Sequence, residues 1–242
     1  MLSCLPLIAI ACLLFAHSAP AQDKSYTWIA SPSRAQLERD PTLIPKGKGL
    51  LFVPAMTSAL NEPGFRIFQG NKRIAESNPG TGVLLSPGYY EVLIGTGTNA
   101  QMMSRTVPIK EGMTTLMKPF WSGLVINVID ENQTSINESY ELYWEDQQEN
   151  YGIGFGIEEE RGEAVKTWLL PPGNYTVVRV GDNISTRRKF SVRLGPGELI
   201  QRNLVVDPNN NTFIGFYPPT MQALLGQTSG SHWKTNWQLS GS

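Results

Sequence analysis

The sequence predicts an all-β protein: two small antiparallel β-sandwiches in tandem, Ig-like or prealbumin-like, with extended segments at both ends. Three observations carry this prediction. The 242-residue chain holds 23 Gly, 17 Pro and 10% aromatic residues without a sustained helical period, which favours many short strands joined by turns. A strand-turn-strand pattern, Leu84-Leu85-Ser86-Pro87-Gly88-Tyr89-Tyr90-Glu91-Val92, returns as Leu169-Leu170-Pro171-Pro172-Gly173-Asn174-Tyr175-Thr176-Val177. The offset of 85 between them persists without a gap to Gly112 and Gly197, and such a constant register marks an internal duplication.

Residues 1–21 read as a secretory signal: Leu2 to Ala16 is almost continuously apolar and His17-Ser18-Ala19-Pro20-Ala21 supplies small residues for cleavage. Both cysteines, Cys4 and Cys12, fall inside it. The remaining chain then has no disulfide, which leans toward a bacterial periplasmic or outer-membrane-associated setting. It has no further apolar run long enough for a transmembrane helix, which needs about 20 residues. Residues 22–48 form an extended N-terminal strap punctuated by Pro32, Pro41 and Pro45, with one helical turn over Ala35 to Arg39.

The first repeat covers 49–118. Gly49-Leu50-Leu51-Phe52-Val53 is a buried strand, and Phe65 to Gln69 alternates up to a Gly70-Asn71 turn. Pro-Gly then joins two strands, and Lys110-Glu111-Gly112 separates the last pair, for about seven strands in all. The second repeat covers 119–206. Gly123-Leu124-Val125-Ile126 matches Gly49-Leu50-Leu51-Phe52 at an offset of 74, and Tyr140-Glu141-Leu142-Tyr143 matches Phe65-Arg66-Ile67-Phe68 at 75. The step to 85 predicts an insertion within Gln147 to Gly162. Residues 207–242 are a C-terminal strand and tail: Asn211 to Pro219 resembles the first strand of a third copy, and a Gly/Ser-rich stretch leads to Trp233 and Trp237.

This order of strands, with Leu-Leu-x-Pro-Gly-x-Tyr-x-Val in each copy, resembles the PEGA and carboxypeptidase-regulatory-like families. The resemblance covers Gly49 to Lys118 well and Gly123 to Val206 less well. It implies small prealbumin-type sandwiches of bacterial envelope proteins, and its shared motif is a turn rather than an active site.

Charge is segregated in the second repeat. Eleven carboxylates lie between Asp130 and Glu163 with Arg161 as the sole cation, while Arg187, Arg188, Lys189 and Arg193 follow. Within the acidic interval Asp130, Asn132, Thr134 and Glu141 have spacings of a calcium loop, although Ser135 stands where that loop needs Gly. Calcium is the one cofactor candidate. Enzyme chemistry is not predicted: one histidine, His232, and no cysteine remain after the leader, and Gly152-Ile153-Gly154-Phe155-Gly156 lacks the Lys-Ser/Thr of a phosphate loop. That stretch reads instead as a flexible hairpin tip whose Tyr151, Ile153, Phe155 and Ile157 offer an apolar contact. These four, with Trp233 and Trp237, are the candidate partner-binding residues.

The function expected is that of an exported, non-enzymatic binding or structural module contacting another envelope protein. The alternatives are a carbohydrate-binding module, using Trp121, Tyr143, Trp144 or Trp168, and an accessory domain of a larger outer-membrane protein. The formal net charge of −1 argues against nucleic acid.

Overall fold

The computed structural model describes residues 28–158, 161–180, 188–207, 209–210 and 212–219. The leader and the tail, with Trp233 and Trp237, lie outside the described residues. The first repeat contains β1 (Gly49–Phe52), β2 (Phe65–Gln69), β3 (Lys72–Ser77), β4 (Gly82–Leu85), β5 (Gly88–Ile94), β6 (Met103–Ile109) and β7 (Thr114–Leu116). The second contains β8 (Ser122–Asp130), β9 (Ser139–Trp144), β10 (Glu149–Phe155), β11 (Thr167–Leu170), β12 (Gly173–Arg179), β13 (Phe190–Leu194), β14 (Leu199–Asp207) and β15 (Thr212–Tyr217).

The duplication holds in topology for the seven shared strands, and the second copy adds β15. Sheets β4-β1-β7 and β3-β2-β5-β6 of the first sandwich become β11-β8-β14-β15 and β10-β9-β12-β13 of the second. In each copy the first and last shared strands pair in parallel, β1 with β7 and β8 with β14. The all-β tandem-sandwich class therefore holds, with a single described helix, α1 (Ser33–Arg39). The stretch read as a third copy is β15, which extends the second sandwich as a hairpin with β14.

Register corrects the offset of the first strand. Gly49 pairs with Leu85 and Leu50 with Thr114, while Ser122 pairs with Leu170 and Gly123 with Leu199. The offset there is therefore 73, not 74. A slip of one residue exchanges the two faces of a strand, and the cores agree with the corrected register: Leu51 and Val53 enter the first core, Leu124 and Ile126 the second. The error arose because β1 and the start of β8 are buried on both faces, so their sequence is a continuous apolar run without the alternation that reveals facing.

The turn motif has a specific anchor. Tyr90 donates its hydroxyl to the Ser86 carbonyl (3.0 Å) and Tyr175 to the Pro171 carbonyl (2.7 Å), each closing the turn four residues back. Positive φ is not the common reason for the glycine of the two Pro-Gly turns. Gly88 is near extended at 157°, and Gly173 lies outside the positive-φ set. A Cβ on Gly173 would lie 2.4 Å from the Trp144 indole nitrogen, so that glycine provides room. The left-handed turn glycines are Gly112 (φ 69°) and Gly197 (φ 73°), which open the last shared strand of each copy.

The sandwiches share a junction. Trp121, Val125, Leu169 and Leu199 of the second repeat belong to the first repeat's hydrophobic core, beside Met56, Ile94 and Met117. The inner face of the β8 sheet thus builds its own core while its outer face continues the neighbour's. The strap is clamped across this arrangement. Trp28 Nε1 donates to the Gly197 carbonyl (3.0 Å), Gln36 exchanges hydrogen bonds with the Ala55 main chain, and Asp40 accepts from the Gly82 N–H (2.6 Å).

Candidate functional site

The stretch expected to be a flexible hairpin tip is a strand. β10 runs antiparallel to β9, with Ile153 opposite Glu141 and Phe155 opposite Ser139. It is the counterpart of β3, because Phe65 faces Ser77 as Tyr140 faces Gly154. The extra residues flank it instead. Two lengthen the β9–β10 turn, and the connection from β10 to β11 spans 156–166 where β3 to β4 needs only 78–81.

This longer connection opens a cleft of about 520 Å³ at the side of the second sandwich. Tyr140 and Trp168 form its floor, β10 and Ile157 one wall, Glu163, Ala164 and Lys166 the rim, and Thr96 of the first sandwich the far end. Both floor residues are buried, and the Trp168 indole N–H donates to the Tyr140 oxygen at 2.8 Å. The Tyr140 hydroxyl is pushed up to about 12, first by burial. Gly154 makes this floor possible: a Cβ there would come within 2.2 Å of the Tyr140 ring. Gly156 is equally constrained, since its Cβ would meet the Ile136 carbonyl at 1.9 Å.

The two strands bordering the cleft differ in how their edges are satisfied. The first sandwich caps β11: Thr96 N–H donates to Leu169 O (2.8 Å), Leu169 N–H to Thr96 Oγ1 (3.0 Å), and Thr167 N–H to Asn61 O (2.8 Å). Among the described residues β10 ends the order β10-β9-β12-β13 and pairs with a strand on one side only, while near its start Asn150 O accepts from Gln101 Nε2 of the first sandwich (3.2 Å). Gly156 N–H bonds to Glu138 O at 2.8 Å. By antiparallel alternation the main-chain groups of Ile153 and Phe155 therefore face away from β9.

The candidate partner residues separate accordingly. Ile153 is 46% and Phe155 61% exposed. Ile157 is half-buried and lines the cleft. Tyr151 is buried, its ring centroid 6.3 Å from Trp144 and 6.0 Å from Tyr175, and burial raises its hydroxyl to about 12. It is a core residue, placed inward by the bulge between Asn150 and Gly152. Trp121 and Trp168 are likewise buried, and Trp144 stacks on Tyr175 at 11°, so these aromatics do not make an exposed sugar platform.

The calcium spacing resolves into local turns. Asp130 Oδ1 accepts the N–H groups of Asn132 and Thr134, both at 2.8 Å, closing the turn after β8. Glu141 sits on β9 in the other sheet and accepts the Tyr143 hydroxyl at 2.6 Å. Among the described residues no group of three or more His, Cys, Asp or Glu side chains converges. Other carboxylates of the acidic interval are engaged singly: Glu158 pairs with Arg161 at 2.6 Å, Glu145 accepts from the Thr176 and Ser191 hydroxyls, and Asp146 accepts from Asn174. Among the described residues no helix is long and apolar enough to cross a membrane.

Tyr140, Gly154 and Thr96 were not singled out as site residues by the sequence, and Trp168 was named only as a sugar-binding candidate. A signal existed for Tyr140 and Trp168: at the offsets of 75 and 85, they replace Phe65 and Val83, and a buried hydroxyl and indole N–H in place of two apolar groups need each other. Thr96 arrives from the other sandwich and has no local signal.

No protein-family model and no curated protein matches the chain. Among solved structures, the Bacillus anthracis TIE protein is 18% identical, with 67% of this chain and 34% of that protein covered and a TM-score of 0.26. The chain thus spans about a third of its length. A putative cell adhesion protein from Bacteroides fragilis is 10% identical, covering 83% of this chain and 92% of that one at a TM-score of 0.24. The shaft pilin SpaA from Lactobacillus rhamnosus GG is 10% identical, covering 72% and 100% at a TM-score of 0.24.

Proposed function

We propose that this chain is a non-enzymatic binding and structural module of a bacterial cell envelope, which holds an extended segment of a protein partner along the open edge of β10. One observation carries the reading, and the duplication supplies its control. The corresponding edge strand of the first copy, β3, is Lys72-Arg73-Ile74-Ala75-Glu76-Ser77, with charges that discourage pairing. From Tyr151 to Phe155 β10 has no charge and no Pro, and it exposes Ile153 and Phe155. An unprotected apolar edge is an aggregation hazard unless something covers it, and strand addition covers it with main-chain hydrogen bonds while a neighbouring cleft accepts alternate side chains. The PEGA-like turn grammar and the apolar leader support the envelope setting. The absence of Cys and His from the described residues supports a binding role over nucleophilic catalysis.

A photo-crosslinking residue at position 155, compared in intact cells with one at position 74, tests the reading. The expected result is an adduct with another envelope protein at 155 and none at 74. No adduct with another protein at 155, or the same adduct at both positions, rejects it.

A further inference from the structure

The free stretch of the β10 edge is short, and both of its ends are marked. Asn150 O accepts from Gln101 Nε2 of the first sandwich (3.2 Å), and Gly156 N–H bonds to Glu138 O (2.8 Å). Between them the outward main-chain groups are those of Ile153 and Phe155. A strand added there sets one residue directly opposite Gly154, between two hydrogen-bonded pairs, where facing side chains approach most closely. We infer that this residue of the partner is an uncharged aromatic one, whose ring enters the cleft over Tyr140 and Trp168. The inference rests on the strand-addition reading above and names the side chain that the site selects.

Three observations specify that side chain. The first is an unfilled row. Gly152 faces Leu142 and Gly154 faces Tyr140 on the core side of the sheet, whereas Ile153 and Phe155, opposite Glu141 and Ser139, stand on the outer side. In the first copy the matching core-side positions carry Ala75 opposite Ile67 and Ser77 opposite Phe65. The core side of β10 therefore lacks a side chain along its free edge, and the residue opposite Gly154 supplies one. A second copy of this chain does not. Pairing β10 with itself over Gly152 to Gly156 sets a glycine opposite Gly154 and leaves the cleft empty.

The second is the floor. Tyr140 is 2% and Trp168 8% exposed, and both line the cleft of about 520 Å³. The Tyr140 ring lies across Gly154, with Cζ and Oη nearest to where a Cβ would stand. Its oxygen accepts from the Trp168 indole N–H (2.8 Å), and its own proton has no acceptor among the described residues. An incoming aromatic ring offers that proton its negative face and packs against Trp168 as aromatic pairs do.

The third is charge. The rim carries Glu163 and Lys166, one of each sign. Glu163 accepts the Glu158 N–H (3.0 Å), Lys166 Nζ donates to Leu60 O (3.2 Å), and Glu158 is paired with Arg161. A carboxylate or an ammonium entering between Glu163 and Lys166 meets one opposite and one like charge together, with no net attraction to offset its loss of water. An uncharged ring has no such loss.

Peptides titrated onto the full chain test the proposal. The probes are acetylated and amidated Lys-Thr-Val-X-Val-Thr-Lys, with Phe, Ala, Glu or Lys at X. The Phe peptide should slow hydrogen exchange at the Ile153 and Phe155 amides and bind at least about tenfold tighter than the other three. Ala164→Phe, which fills the cleft from an exposed rim position, should bring the Phe and Ala peptides within about twofold of each other. The comparison in the parent stands whether or not that variant folds. A Phe peptide no tighter than any of the other three, no binding by any peptide, or a Phe preference that survives in folded Ala164→Phe overturns the proposal. So does protection of Ile153 and Phe155 that exists without peptide and is lost on dilution, which would make a second copy the occupant. The crosslink at position 155 in cells scores the partner reading separately. An adduct there without a Phe preference among the peptides sinks the aromatic anchor alone, and a Phe preference without an adduct sinks the partner alone.

Discussion

The hydroxyls of Thr57 and Thr167 lie 2.8 Å apart across the junction of the two sandwiches, and both residues are buried. Thr57 precedes β2 in the first copy and Thr167 opens β11 in the second, so this contact joins the halves at the strand that borders the cleft. Because Trp121, Val125, Leu169 and Leu199 also complete the first core, the halves should unfold together. Calorimetry is expected to give one transition, and Thr167→Val should lower stability by about 1 kcal/mol by deleting the hydrogen bond between the two hydroxyls, the Thr57 hydroxyl keeping its bond to Glu62. Two separate transitions in the parent would contradict a shared core.

Glu62 lies beside this contact with one carboxylate oxygen satisfied and one not. Its Oε1 accepts from Met56 N–H (2.7 Å), Thr57 N–H and Thr57 Oγ1 (2.9 Å), whereas Oε2 is buried without a partner among the described residues. Burial raises its pKa above the usual 4.5, against the pull of those hydrogen bonds. A raised folded pKa means the folded state holds the proton more tightly. Its stabilising contribution is full below the ordinary glutamate range and is lost as pH rises through the elevated value. Denaturant midpoints of the parent and Glu62→Gln should therefore diverge with rising pH, the variant gaining on the parent. A difference that stays constant with pH removes this account.

The paired tyrosines provide a symmetric test of the turn motif. Tyr90→Phe and Tyr175→Phe each delete one hydroxyl bonded to the carbonyl four residues earlier. Each should cost about 1 kcal/mol, and the two losses should add because the sites share no partner. Guanidinium titrations of both single variants and the double variant check this, and a loss confined to one copy would show that the motif is not equivalent in the two.

Gly154→Ala should destabilise by about 1 to 3 kcal/mol, since the new methyl enters the Tyr140 ring. Adding Tyr140→Leu should cost less than the two single losses combined, because the smaller side chain yields the space. Strict additivity in that double-mutant cycle would mean that the glycine serves some other purpose.

On the exposed face the expectation is different. Phe155→Lys removes a side chain that is 61% exposed, so stability should change by less than about 0.5 kcal/mol. Aggregation at high concentration should fall and crosslinking to a partner through β10 should weaken. A large fall in melting temperature would place Phe155 in a packed environment and count against the open-edge reading.

Much was legible before any coordinates. Strand alternation and a repeated turn are local properties of the chain, so the all-β class and the duplication followed from residues such as Tyr90 and Tyr175. The short helix over Ala35 to Arg39 was readable for the same reason. Where both faces of a strand are covered, as in β1 and β8, alternation vanishes, and the register shifted by one residue without leaving a trace in the sequence. Gly152 to Gly156 reads as a turn because it holds three glycines within five residues, whereas Gly154 and Gly156 make room for the Tyr140 ring and the Ile136 carbonyl, which come from an earlier part of the chain. The sequence by itself determined two copies of one sandwich. Only the tertiary structure decided that the first copy caps β11 along its edge while its described contact with the β10 main chain is confined to Gln101 at Asn150, because that difference depends on Asn61 and Thr96 meeting a strand more than 70 residues away.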